Sequence, residues 1–285
     1  MSSDLTLGAV AYDPKVVTIW EGFRGWLREQ GFPFDYVLYS NYERQAEELI
    51  AGRIGLAWNS PLAWIRSGRL ARAACVSVRP VIMRDTDRDL TSLVVVRHDS
   101  QAQTAQDLRG CVVGTGAVDS PQATLLPLAL LRGAGLRPDD DLRVRRFDVG
   151  VGLHGDHVGG ERDAARALAG GEVDAACMID ASLLLFAREG ILPSGQYRVI
   201  ERTPPYDHCM MTAGPAADAG LTDRFTGLLL GMSYADPLLR PLLDLEGLKR
   251  WQPARTEGYQ QLERAVDESG FYDAQGNIGA SDYRP

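Results

Sequence analysis

The sequence predicts an α/β fold divided into two lobes, and three observations carry that prediction. Apolar strand-like runs alternate with amphipathic stretches, the signature of parallel βαβ units. Three of those runs stop at a polar residue followed at once by proline: Tyr12-Asp13-Pro14, Asn59-Ser60-Pro61 and Asp119-Ser120-Pro121. Each marks a strand ending and a helix beginning, because Ser or Asp at the N-cap accepts bonds from the first unpaired amides and proline at the first helical position has no amide to leave unpaired. At 285 residues, the chain is long enough for two lobes of roughly 100 to 200 residues each. If the strands are parallel neighbours, the three helix starts gather at one sheet edge, where open α/β folds bind small molecules and helix amides favour a polar or anionic group.

The elements follow in order. After a strand-like LTLGAVAY segment and Pro14, the residues Val16, Ile19, Trp20, Phe23 and Leu27 recur at helical spacing, and Gly31 closes that helix. A strand (35–40), a helix (42–52), a strand (54–58) and the helix opened by Ser60-Pro61 come next. Residues 75–83 and 90–97 are β-rich, separated by a polar turn at 84–88, and read as a crossing between lobes. A second series follows: strand 111–114, helix 121–133, strand 142–147, helix 160–169, strand 173–179 and a helix over 182–189. Strand-like segments at 197–202 and 209–212 flank Thr203-Pro204-Pro205-Tyr206-Asp207-His208, the return crossing. From Leu221 the chain reads as helical, broken at Asp236-Pro237 and Arg240-Pro241, and packs back on the first lobe. The predicted division is 1–88 with 209–285 for lobe 1 and 89–208 for lobe 2, with a ligand cleft between them.

A net charge of −8 with no basic stripe argues against nucleic acid as a partner. No apolar run approaches the ~20 residues needed to span a bilayer. The start of the sequence shows no export signal, which predicts a cytoplasmic protein as written, and a periplasmic or extracellular one if a leader has been trimmed. Cys75, Cys111, Cys177 and Cys209 lack any CxxC spacing; the first three read as small buried hydrophobes.

Chemistry-bearing residues are few. His154 and His157 lie in a glycine-rich loop, 150–160, and His208 and Cys209 sit on the return crossing. Imidazole, thiolate and carboxylate bind transition metals, so His154, His157 and His208 are candidate ligands for a divalent transition metal, although no cofactor is required. His157, His208 and Cys209 are the candidates for catalysis, a thiol needing a base within reach. Side chains alternate along a strand, which predicts that His208 faces the cleft and Cys209 the other way. Trp20, Trp26 and Trp64 read as packing residues, Trp58 as a residue of the cleft rim, and His98 as exposed.

Taken together, YDPKVV, EELIAGRIGLAWNSPLAW, TSLVVV, DSPQATLLPLALLRGAGL, GGEVDAACMID and the late DPLLRPLL resemble, in order and spacing, the phosphate, phosphite and phosphonate-binding family. That family has the two-lobed type 2 periplasmic-binding-protein fold, a Venus flytrap closing on its ligand. The resemblance implies ligand contacts at Tyr12, Asn59, Ser60, Thr91, Ser92, the turn holding Asp119, Ser120, Gln122 and Thr124, Asp180, Tyr206 and Asp207, and His208 joins them as a polar cleft residue. Where phosphonate binders carry consecutive hydroxyl residues, this chain has Ser120-Pro121-Gln122-Ala123-Thr124, and proline removes an amide that would grip an anion. Asp119, Asp180 and Asp207 around the same cleft suit a ligand carrying an amine or a metal better than a bare dianion.

Two readings stand at this point. One is a solute-binding protein that closes on a small polar or anionic solute, with ABC-transporter membrane subunits as partners if it is exported. The other is a cytoplasmic enzyme on the same fold, a lyase, dehydratase or metal-assisted catalyst using His154, His157, His208 and Cys209. A ligand sensor is a third and lesser reading.

Overall fold

In the computed structural model, residues 4–155 and 159–285 are described. Among them, two mixed sheets form, each flanked by helices. The first half opens with β1 (Leu5–Val10), α1 (Lys15–Glu29), β2 (Phe34–Tyr39), α2 (Tyr42–Ile50), β3 (Leu56–Asn59), α3 (Pro61–Ala73) and β4 (Arg79–Arg84). The second contains β5 (Ser92–Arg97), β6 (Val112–Thr115), α4 (Leu126–Gly133), β7 (Arg143–Arg146), α5 (Gly159–Ala169), β8 (Ala175–Ile179), α6 (Asp180–Arg188) and β9 (Tyr197–Arg202). The chain then returns through β10 (Met210–Ala213), α7 (Ala219–Leu230), α8 (Arg240–Glu246), β11 (Trp251–Pro253) and α9 (Gln260–Ser269).

The six-stranded sheet runs β11-β4-β10-β3-β1-β2 and the five-stranded sheet β7-β6-β8-β5-β9. β1, β2 and β3 are parallel, as are β6, β7 and β8, whereas β10 enters antiparallel beside β3 and β5 antiparallel beside β8. The carboxyl ends of the parallel strands in each sheet thus carry the helix starts. β10 begins beside the end of β3, and β5 begins beside the end of β8.

The apolar stripe of α1 packs on the first sheet together with Phe225 and Leu229 of α7 and Leu243 of α8, as the helical spacing predicts. In the second half, Val94, Val113, Ala175 and Cys177 pack against α4, while Leu93, Val95, Ala176 and Met178 pack against α5. Burial of that kind contributes about 25 cal/mol per Å² of apolar surface.

Several expectations are corrected. The three Pro-marked helix starts do not share one sheet edge: two follow β1 and β3 in the first sheet, and the third follows β6 in the second. That third helix begins with a wide π turn over Pro121–Leu125 before α4 proper. After Tyr12, α1 starts at Lys15, whose amide is held by the Asp13 carboxylate at 2.8 Å. The C-terminal stretch is not helical throughout. β11 adds an edge strand to the first sheet, and α9 packs into a cluster with Leu62, Ile65, Val118, Leu125 and Leu126, drawn from both halves. Cys75 is exposed at positive φ and Cys111 half-buried, so only Cys177 of the three is a buried hydrophobe, its thiol pushed up by burial to about 12.

Trp58 is the clearest correction. It lies in the core, with ring centroids 6.4 Å from Trp20 and 5.8 Å from Trp251, and the Arg84 guanidinium stacks 5.2 Å from its ring. The penultimate position of β3 points it into the layer beneath the sheet. Trp58→Ala therefore lowers stability by about 3–5 kcal/mol in equilibrium denaturation, and a change under about 1 kcal/mol contradicts this placement.

Candidate functional site

The two sheet edges face each other, and their helix starts meet through one loop. Ser60 caps α3 by accepting the Ala63 amide at 3.1 Å, and Ser120 caps the turn after β6 by accepting the Ala123 amide at 3.2 Å. Between them, the loop leading into α5 brings His154. Its Nδ1 lies 2.6 Å from Ser60 Oγ, its Nε2 lies 2.9 Å from Glu43 Oε1, and its ring stacks on Tyr42 with centroids 4.8 Å apart. The loop is anchored on its own half by Asp119 Oδ2, which accepts the amides of Gly152 (2.8 Å) and His154 (3.0 Å). Gln122 Nε2 adds a bond to Gly155 O at 2.5 Å. Gly155 is required there: it has φ +71°, and a Cβ would sit 2.5 Å from Ser120 Oγ.

Burial would raise the Glu43 carboxyl, but the charge and hydrogen bond of His154, with a bond from Tyr272, hold it at about 2. Asp119 goes the other way, raised by burial against the pull of His154 and the two amides. His154 thus has both ring nitrogens committed and is not available as a metal ligand. His157 lies outside the described residues.

A second cluster is centred on Glu161, in the first turn of α5, which sequence reasoning did not single out. This side chain is 3% exposed, and its Oε2 accepts the Ile179 amide at 3.1 Å. Gln122 and Ser182 approach the same carboxyl. Gln122 Oε1 is buried without a hydrogen-bond partner, and no ion pair to Glu161 forms among the described residues. Burial raises the Glu161 carboxyl to about 7 despite those neighbours and the field of His208. Glu161 in turn acts on Tyr206, whose hydroxyl lies 3.0 Å from Ser92 Oγ and is pushed up by burial. The signal that marks Glu161 in sequence is an acid in a helix's first turn directly after a glycine-rich loop, and it is indistinguishable there from an ordinary helix-dipole partner.

The third cluster is the double crossing. Leu90 and Tyr206 exchange backbone bonds at 2.8 Å in each direction. Asp207 is gripped bidentately by Arg255 at 2.6 Å and 2.6 Å and accepts the Asp89 amide at 3.2 Å. Gly258 packs against the Asp207 carboxyl so closely that any Cβ would collide with it. Asp207 therefore braces the crossing through its own partners.

Other predicted residues separate in the same way. Asn59 is spent on Gln45, Ser67 and Thr212, and Thr124 on the Ala117 carbonyl at 2.7 Å, so both are structural. Thr91 donates to Asp180 Oδ2 at 2.9 Å and accepts from Arg202 at 2.6 Å. Ser92, Ser120, Gln122, Asp180, Tyr206 and His208 are brought to the facing edges, and Tyr12 lies half-buried after β1. Trp20 is core, Trp26 packs at its margin, Trp64 packs against Tyr259, and His98 is exposed.

His208 and Cys209 do not point apart. Both precede β10, so strand alternation does not apply, and His208 Nδ1 lies 3.1 Å from Cys209 Sγ and 3.7 Å from Asp87 Oδ1. The three could in principle offer donors to one cation. They fit it poorly, because both Asp87 oxygens are already bound by Arg84 at 2.6 Å and 2.9 Å, which holds a fixed positive charge beside the cluster. Burial would raise Asp87, but Arg84 holds it at about 2.

Comparison with known proteins follows this geometry. The sequence profile of the family described as "ABC transporter, phosphonate, periplasmic substrate-binding protein" matches residues 9–259. No curated protein matches the chain. Among solved structures, PhnD1 from Prochlorococcus marinus in complex with methylphosphonate is 16% identical with a TM-score of 0.68, covering 94% of this chain and 98% of that one. XAC2383 from Xanthomonas citri bound to ATP is 18% identical with a TM-score of 0.73 over 94% and 98%. The periplasmic aliphatic sulphonate binding protein SsuA from Escherichia coli is 20% identical with a TM-score of 0.60 over 98% of each chain. These likenesses establish the two-lobed α/β fold.

Ionising Glu161 in its buried setting costs stability. Its folded value lies above the unfolded 4.5, so the wild type loses stability as pH rises from about 4.5 to 7. Glu161→Gln is thus more stable than wild type by about 2–3 kcal/mol at pH 8 in denaturant titrations, and equal to it at pH 4. Equal stability at both pH values contradicts the burial of an unpaired acid.

Proposed function

The chain belongs to the family of phosphonate periplasmic substrate-binding proteins of ABC transporters, and from that premise we propose that it captures a small zwitterionic solute between its two halves and presents it to a transporter's membrane subunits. The halves are those carrying the two sheets, 1–88 with 209–285 and 89–208, and they move about the paired crossings. The solute's anionic group sits against the helix start that follows β6, where the helix dipole favours negative charge. Its ammonium group sits against Glu161.

The observation that carries this reading is the Glu161 cluster. A buried carboxyl stands beside the Ser182 hydroxyl, which approaches it as a donor, and beside Gln122 Oε1, a buried acceptor without a hydrogen-bond partner. Gln122 Nε2 is already given to the Gly155 carbonyl, so its remaining atom is an acceptor, as is a charged Glu161. Such a cluster calls for a donor. Three arginines near the strand ends are already engaged: Arg84 is bound to Asp87, Arg255 to Asp207 and Asp89, and Arg202 to Thr91 and Asp180. Beside a buried carboxyl, an ammonium is a better partner than a second anionic group. Tyr12, Ser92, Ser120, Asp180, Tyr206 and His208 complete the polar wall in this reading.

A charge-assisted hydrogen bond contributes about 1.5–3 kcal/mol. Glu161→Gln accordingly weakens 2-aminoethylphosphonate by about 10- to 100-fold in isothermal titration, while methylphosphonate changes by less than about threefold. Equal losses for the two ligands, or none for either, would sink the assignment.

A further inference from the structure

We propose that Arg202 sets the charge that the solute's ammonium group meets: by neutralising Asp180 it leaves Glu161 as the one uncompensated carboxyl of the pair, and so selects solutes that carry a single ammonium. The proposal rests on the capture reading and assigns a specificity-determining residue to that same site.

Three strands of the second sheet bring these groups together. β8 ends at Ile179, β5 begins beside it with Ser92 opposite Ile179, and β9 ends with Arg202 opposite Leu93. Asp180 follows directly, its amide donating to Thr91 O at 3.0 Å. Glu161 reaches the same strand end from α5, since its Oε2 accepts the Ile179 amide at 3.1 Å. The two carboxyls therefore meet at consecutive positions of the chain, one bonded to the amide of Ile179 and the other borne by Asp180. Both act on the Tyr206 hydroxyl, which lies 3.0 Å from Ser92 Oγ.

Their electrostatic settings differ. Asp180 Oδ1 accepts the Ala181 amide at 2.8 Å, and its Oδ2 accepts the Thr91 hydroxyl at 2.9 Å. Thr91 Oγ1 in turn accepts from Arg202 Nη1 at 2.6 Å, which places that guanidinium 3.8 Å from Asp180 Oδ2. Thr91 is thus a relay of fixed direction: its one proton goes to Asp180, and its lone pairs are what Arg202 uses. Glu161, by contrast, has neutral hydrogen-bonding neighbours, the Ile179 amide, Ser182 and Gln122. With Arg202 in place, the two ionised carboxyls leave one negative charge unanswered; without it they leave two. The Arg202 side chain is 53% exposed and that of Asp180 36%, so solvent screens the pair and its effect on a nearby ammonium is a few-fold rather than many orders of magnitude.

Isothermal titration of 2-aminoethylphosphonate and methylphosphonate into wild type, Arg202→Gln and the double variant Arg202→Gln with Asp180→Asn tests this. At low ionic strength, Arg202→Gln should raise the preference for the amine ligand, the ratio of the two affinities, by about three- to tenfold, and the gain should shrink in high salt. Adding Asp180→Asn should abolish the gain, because the freed carboxylate is what produces it. Near-UV circular dichroism establishes that each variant is folded, and Arg202→Met, which keeps the apolar stem, takes the place of Arg202→Gln if that variant is not. An unchanged ratio, a gain that survives in the double variant, or an equal loss of both ligands on removing Arg202 overturns the proposal, the last because the guanidinium would then be gripping the anionic group itself. Glu161→Gln, titrated in parallel, separates the two possible failures. If it does not distinguish the ligands, the capture reading has failed and this proposal with it; if it does, while Arg202→Gln leaves the ratio unchanged, the role of Arg202 alone is refuted.

Discussion

The mutual pairing of the two crossings is the constraint on which the rest of the molecule depends. Leu90 and Tyr206 meet as a single antiparallel bridge, and the Arg255–Asp207–Asp89 network holds the chain on either side of it. The Asp207 carboxylate is fully buried, so its pairing with Arg255 is obligatory: leaving it bare would cost several kcal/mol. Gly258 follows from the same need, since only a residue without a side chain lets the turn before α9 close over that carboxylate. Both sheets hang from this bridge, and their strand ends face each other because β5 and β10 leave it in opposite directions.

From that arrangement comes the unusual inventory of charged groups at the facing strand ends. Carboxylates outnumber available cations, and each is handled differently. Glu43 is answered by His154, Asp87 by Arg84, Asp207 by Arg255, and Asp119 by two backbone amides. Glu161 alone in this group has only one amide and two partly satisfied neutral neighbours. A protein selected for stability alone would gain from removing it, and a buried unpaired acid at a strand-end cleft is the kind of feature that function retains. Around it, the distinction between bracing and reading is sharp: Asn59, Thr124 and Asp207 are saturated by the protein, whereas Gln122 keeps an atom unpaired.

Much of the fold was legible because its determinants are local. Proline after a capping residue marks a helix start whatever lies around it, and Ser60 and Ser120 do cap as their types demand. Strand and helix alternation located ten of the strand regions, while β11 escaped because three residues ending in proline carry no period. The site was less legible because it depends on non-local partners. Asp207 and Asp180 look alike in sequence, and only the arrival of Arg255 from 48 residues away makes one of them a brace. Trp58 stands beside a helix start and so suggests a rim residue; the pleat of β3 turns it inward onto Trp20 and Trp251. His154 read as a loop histidine because nothing in its neighbours foretells that Glu43, 111 positions earlier, waits for it. Family resemblance could not say which of the polar residues it implied were already taken by the protein's own groups.

The central claim, that Glu161 receives the cationic end of the solute, has a signature in protons. Burial raises the Glu161 carboxyl well above the ordinary carboxylate range. An ammonium group placed against it stabilises the carboxylate and favours loss of its proton. Titration calorimetry of 2-aminoethylphosphonate at pH 7, compared with methylphosphonate and with Glu161→Gln, in two buffers of different ionisation enthalpy therefore reports net proton release that only the amine ligand on the wild type produces. Uptake of protons on binding, or none exchanged in either buffer, contradicts the account.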